Sequence, residues 1–170
     1  MTSEELKARN SVDLLLRTTQ QNHLELSVMA DQKANIIIAF CSVVFSVSLA
    51  RMNTIDLNWG FLTLMISSAA AMVTAILTLI PRTKVKNIKK ADLNPLFFGH
   101  FTQYTADEYR ERMKDLIQKD EQVYEALIHD IYQSGLVLRN RKYRYLRISY
   151  LIFFGGICLS LLLFLLQLVL

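Results

Sequence analysis

Glycine, proline and cysteine are scarce in this 170-residue sequence, at five, two and two residues. Each scarcity excludes something. The few glycines never approach GxGxxG or the Walker spacing, so no phosphate-cradling loop is present. The two thiols, Cys41 and Cys158, lie inside apolar runs and form neither a disulfide framework nor a Cys/His metal site. No alternating strand pattern, internal repeat or low-complexity tract appears. Histidine is limited to His23, His100 and His129. The dipeptide His129-Asp130 therefore lacks the further ligands a metal-dependent hydrolase needs, and reads as a polar helix face. No serine or cysteine stands in a nucleophile setting. Catalysis, a cofactor and a bound metal are all unexpected, and no nucleic-acid recognition motif accompanies the net charge of +4.

Charge, in contrast, is plentiful at 20% of residues, yet it is missing from three runs: 34–50, 57–80 and 148–170. A bilayer core about 30 Å thick needs roughly 17–25 helical residues. The second and third runs meet this easily, and Lys33 can snorkel to extend the first. The link 51–56 carries one Arg and one Asp, whereas Arg82, Lys84, Lys86, Lys89 and Lys90 follow the second run. Arg139, Arg141, Lys142, Arg144 and Arg147 precede the third. The positive-inside rule then puts 81–147 and the N-terminus in the cytoplasm of a multi-pass protein. Pro81 fits the end of the second span. No signal-peptide pattern opens the chain, so the mature protein is expected to start at Met1.

The expected fold is an all-α membrane protein: three transmembrane helices, two of them extended into a cytoplasmic helical bundle. Its parts are an N-terminal helix (1–33), a first span (34–50), a second span (57–80), a basic and Phe-rich loop (81–104), a cytoplasmic helix (105–147) and a third span (148–170). Val12, Leu16, Thr19, His23, Leu26 and Ala30 recur on one helix face, flanked by Gln20, Gln21, Asn22 and Glu25. Thr105-Ala-Asp-Glu108 is a capping box. From it Tyr109, Met113, Leu116, Val123, Leu127 and Ile131 keep a four-three rhythm, with Asp120 filling one apolar slot. That pattern can continue through Leu138 into the third span, with Gly135 its weak point. Such stripes fit packing as extensions of the membrane bundle, including across a homo-oligomer.

Two segments are odd for a purely structural protein. Asp31, Lys33 and Asn35 bring charge and an amide to a helix where it enters lipid, either as a headgroup anchor or as the wall of a polar pocket. In Asn94-Pro-Leu-Phe-Phe-Gly-His-Phe101, four apolar side chains sit on a loop, either as a plug on the helical core or as a ligand lid. As a lid, Phe97, Phe98 and Phe101 could stack on a base, with Asn94 or His100 reading its edge.

At these same segments the chain resembles the transmembrane effectors of Pycsar, a bacterial anti-phage signalling system. The resemblance rests on Ala30-Asp-Gln-Lys-Ala-Asn35, Leu96-Phe-Phe-Gly-His-Phe101 with Glu108-Tyr109, Asp130-Ile-Tyr-Gln133 and Arg141-Lys-Tyr-Arg-Tyr-Leu146, in that order. It implies a non-catalytic effector in the bacterial inner membrane that senses cyclic UMP or cyclic CMP and impairs that membrane, aborting infection. No separate nucleotide-binding module is visible, so the pocket would have to be built from helices. Its partners would be the lipid bilayer, the cyclic pyrimidine nucleotide and further copies of itself, with the small residues Ser67–Ala71 suited to close helix packing. The alternative is a membrane scaffold or adaptor that docks a cytosolic partner on its heptad-patterned helices.

Overall fold

The computed structural model describes residues 3–52, 58–80 and 93–169, and all regular structure in them is helical. The elements are α1 (Ser3–Met52), α2 (Trp59–Leu79), the single turn α3 (Phe98–Phe101), α4 (Ala106–Ile117), α5 (Asp120–Val137), a π turn (Leu138–Tyr143) and α6 (Arg144–Val169). Three helical stretches, within α1, α2 and α5–α6, are long and apolar enough to cross a membrane. The expected all-α class with three spans is what is found. The 53–57 link, Pro81 and the basic residues Arg82, Lys84, Lys86, Lys89 and Lys90 lie outside the described residues.

The chain divides into two compact units. The second, Ser27–Ile80 with Arg139–Leu170, is built inside-out relative to a water-soluble domain. Its interior is mostly small: Ala30, Ala34, Cys41, Ser48, Ser68, Ala71, Ala75, Ser149, Gly156 and Ser160 are buried, with Ile37 and Leu146 the large side chains among them. Its outer face carries Phe40, Val43, Val73, Phe154, Leu162 and Leu165, all exposed. Lipid gives no hydrophobic reason to bury large side chains, so close backbone approach and interhelical hydrogen bonds hold such helices together. Ser149 Oγ donates to the Ala71 carbonyl at 2.7 Å and Ser160 Oγ to the Gly60 carbonyl at 3.0 Å, both linking α6 to α2. At the far end of that pair Phe61 meets Phe164 edge-on. Asn58 caps α2, its Oδ1 accepting from the Gly60 and Phe61 amides. Ile80 ends α2 in an extended conformation, the geometry a residue before proline prefers.

The first unit combines the described parts of Met1–Leu26 and Pro81–Leu138. Here α1 and α5 run parallel. Arg9 pairs with Asp120 at 2.7 Å, Tyr124 donates to Asp13 at 2.7 Å, and Gln20 donates to Asp130 at 2.8 Å. The buried stripe of α1 differs from the one its apolar residues define. Val12 and Leu26 are exposed, while Gln20 and Ser27 join Leu16, His23, Ala30, Ala34, Ile37 and Cys41 on the inner face. The four-three spacing holds, but it selects polar residues that hydrophobicity alone passes over.

The helix expected over 105–147 is divided in two places. α4 starts at the expected capping box, with Thr105 and Glu108 satisfying each other's amides, and stops at Ile117. Lys119 is extended and α5 begins at Asp120. The acid in the apolar slot is a helix start: Asp120 and Glu121 place negative charge on the first turn, where the helix dipole favours it. Gly135 does not break α5. It gives room to the His23 ring, whose Cε1 lies 3.2 Å from where a Cβ would stand. The second interruption is the π turn. Inner positions recur seven apart from Ile131 to Leu138 and again through Leu146, Phe153 and Ser160, but the step from Leu138 to Leu146 is one residue longer. An i→i+5 turn absorbs that residue.

Candidate functional site

The Phe-rich segment is folded onto α5 within the first unit. Asn94 organises it. Its amide N–H donates to His100 Nδ1 at 3.1 Å, its Oδ1 accepts from the Leu96 amide at 3.0 Å, and its Nδ2 donates to the Ala126 carbonyl at 2.9 Å. Tyr104 Oη donates to the Leu93 carbonyl at 3.0 Å. His100 is almost wholly buried, with Phe97 edge-on to its ring. Burial, with His129 nearby, lowers the His100 pKa and keeps the imidazole neutral. Phe101 sits between Phe98 and Tyr109. Phe98 is 59% exposed and is the ring of this segment most open to a planar ligand.

Beside the segment lies a polar layer between α1 and α5. Asp130 is 6% exposed, and burial raises its carboxyl pKa against the opposing pull of the Gln20 hydrogen bond and of His129 and His23. His23 Nδ1 and Gln133 Oε1 are buried without a hydrogen-bond partner, and the Gln133 Nε2 lies 3.2 Å from His129 Nε2. Unpartnered buried polar atoms are costly, about 1–3 kcal/mol each. Two of the four such atoms among the described residues belong to this layer, the others being Ser68 Oγ and Thr78 Oγ1 of the second unit. Among the described residues no three His, Cys, Asp or Glu converge as metal ligands.

The apolar pattern of the sequence puts His23 on the stripe of α1 but leaves Gln20 beside it and the His129-Asp130 pair on a polar helix face, so it misses this layer. The available signal is that Gln20 lies four residues after Leu16 and three before His23, in the same four-three series. The remaining sequence-derived residues, Asp31, Lys33 and Asn35, belong to the second unit. Asp31 accepts from Lys142 Nζ at 2.6 and 2.7 Å, and the same ammonium lies 3.5 Å from the Ser27 carbonyl. Lys33 and Asn35 are exposed. The structure thus gathers Asn94, Phe97, Phe98, His100 and Phe101 in one segment and gives Asp31 a partner on the π turn.

No curated protein and no solved structure matches the chain. A family model described as the Pycsar effector protein domain matches residues 14–169, spanning both units. The chain therefore belongs to the Pycsar effector family and is a multi-pass membrane effector of the Pycsar anti-phage system.

Proposed function

We propose that the first unit is cytoplasmic and senses a cyclic pyrimidine nucleotide, and that binding changes the packing of the membrane unit so that the inner membrane is impaired and infection aborts. The observation that carries this is the buried polar layer. A uracil edge presents carbonyl acceptors beside an N–H donor, and a cytosine edge an amino donor beside a ring-nitrogen acceptor and a carbonyl. A carboxyl biased towards its neutral form, an imidazole nitrogen without a partner and a free amide oxygen are complementary to such an edge. Phe98 supplies a stacking face at the margin of the same unit, with Phe97, His100, Phe101 and Asn94 shaping the segment that carries it.

Among the described residues two helical stretches run from the sensing unit into the membrane unit, α1 at Leu26–Ser27 and the helical run at Leu138–Arg139. The ligand acts by preferring one arrangement of these helices over another. Asp31, with Lys33 and Asn35 on the same helix, stands at the start of the membrane unit, where such a change arrives. The role is non-catalytic, in keeping with a membrane-type effector family. Exposed Leu14, Leu15, Leu24 and Ile128 on the first unit favour assembly of further copies, and the same residues are what an adaptor would use to dock a cytosolic protein.

The test is calorimetry of the detergent-purified protein with cyclic UMP and cyclic CMP, cyclic AMP serving as the control, together with dye leakage from proteoliposomes. Selective pyrimidine binding that Gln133→Ala weakens at least tenfold, accompanied by ligand-dependent leakage, is expected. Absence of binding by folded protein refutes the sensor and leaves the adaptor.

A further inference from the structure

A groove of about 500 Å³ lies along the π turn and the beginning of α6, within the membrane unit. Arg139, Asn140, Tyr143, Arg144 and Arg147 line it together with the apolar Ile148 and Leu151, which follow them along α6. No acidic residue lines it, and among the described residues none of the three arginines forms an ion pair. The neighbouring Lys142 is different: it turns to α1 and is neutralised by Asp31.

The π turn makes this cluster. In an α-helix residues five apart stand about 140° from each other. An i→i+5 turn instead brings them one above the other, so Arg139 and Arg144 share a face. Arg144, Arg147, Ile148 and Leu151 then continue that face at ordinary three- and four-residue spacings. The result is a strip that changes from basic and polar to apolar at Ile148, where the uncharged run of α6 begins. Arg144 lies about 6 Å along the axis from that boundary, inside an interfacial layer about 5–7 Å deep on each side of the hydrocarbon. Guanidinium groups grip phosphate oxygens in pairs, and an apolar stretch continuing into the span is of no use to a soluble phosphate but fits an acyl chain.

We propose that this groove is a binding site for an anionic phospholipid, with the headgroup phosphate held by Arg144 and Arg147, Arg139 at the rim, and the first acyl methylenes on Ile148 and Leu151. Basic residues at this depth strengthen binding about fivefold each. The site fixes where α6 sits in the headgroup layer, independently of any nucleotide.

The experiment is native mass spectrometry of delipidated protein in mild detergent, titrated with dioleoyl phosphatidylglycerol, with dioleoyl phosphatidylcholine as the neutral lipid and sodium phosphate as the soluble anion. Wild-type protein is expected to bind one phosphatidylglycerol at least tenfold more tightly than phosphatidylcholine. Arg144→Gln with Arg147→Gln should weaken it about 25-fold. Arg144→Lys with Arg147→Lys retains the charge and should stay within about fivefold of wild type, which separates lost binding from lost folding. Arg110→Gln with Lys114→Gln removes the same charge from α4 and should leave binding unchanged. Equal binding of both lipids overturns the proposal, as does undiminished phosphatidylglycerol binding by the Gln pair. Displacement of the lipid by millimolar phosphate, with Leu151→Ser binding as wild type, overturns it too, because the site would then be one for a bare anion.

Discussion

Replacing Gly156 by alanine should loosen the membrane unit, and the size of the effect follows from one contact. A Cβ on Gly156 would fall on Oγ and Cβ of Ser67 across the α2–α6 interface. The Ser67 hydroxyl can rotate away, but its Cβ is fixed to the backbone, so the helices must part by about 1 Å or more to reach normal carbon–carbon separations. Overpacking of this kind costs about 1–3 kcal/mol, and alanine's better helix propensity returns up to about 1 kcal/mol. A net loss of about 1–2 kcal/mol corresponds to about 3–6 °C in melting temperature for a chain of this size. Cys41 provides the assay, since it is fully buried between the helices while Cys158 is exposed. In a Cys158→Ser background, a thiol-reactive dye reports opening of the interior during a thermal ramp in mild detergent.

Ser67→Gly removes both offending atoms, and the nearest atom to the new methyl is then the Ser67 Cα at 3.7 Å, an ordinary contact. The double variant should therefore melt above the sum of its two single changes, with a coupling of about 1–2 kcal/mol. Gly155→Ala is the matched control, because a methyl there meets nothing within 4 Å, and it should melt no lower than the parent. If Gly156→Ala melts with the parent, or Ser67→Gly fails to rescue it, close approach of α2 and α6 is not what holds this unit together.

The pH behaviour of the first unit should carry two opposed contributions. Burial raises the Asp130 pKa above its unfolded value, so its contribution favours the folded state in acid and declines as pH rises from the ordinary carboxylate range through the folded pKa. Asp130→Asn should flatten that slope and stabilise the unit at neutral pH, as read from denaturant midpoints at pH 5 and 7.5. His100 has a lowered pKa, so its contribution is present above the ordinary histidine value and is lost as pH falls through the folded one. Asp31 and Lys142 form a partly exposed pair, worth about 0.5–1 kcal/mol. Asp31→Ala and Lys142→Ala should each destabilise the membrane unit, the charge-exchanged double variant should recover part of the loss, and an additive result in the same dye assay would show the pair to be incidental.

Much of this arrangement can be read from residue order. The three uncharged runs, the capping box at Thr105–Glu108 and the small residues of α2 all appear where local chemistry demands them, because each depends on neighbours in sequence. What escapes notice depends on partners far along the chain. Lys142 is one of several basic residues before α6, and nothing local singles it out as the partner of Asp31, 111 residues away. Gln20 looks like the wet flank of the stripe that holds His23 until α5 covers both with Asp130. Asn94 looks available to a ligand, but its polar groups are engaged in shaping its own loop and tying it to α5. The break before Asp120 was in principle visible, since an acid in an apolar slot followed by a second acid reads better as a helix start than as a gap.

The extra residue between Leu138 and Leu146 bears on how this chain can vary in length. Deleting a residue from an unbroken α-helix turns everything beyond it by about 100° and exposes one buried face or the other. Deleting one within the π turn converts it to an α turn, while Asp130 keeps its neighbours on α1 and Ser149 keeps its carbonyl on α2. What such a deletion removes is the stacking of Arg139 over Arg144. Family members that differ by a single codon here can therefore share both interiors and differ in the basic strip alone.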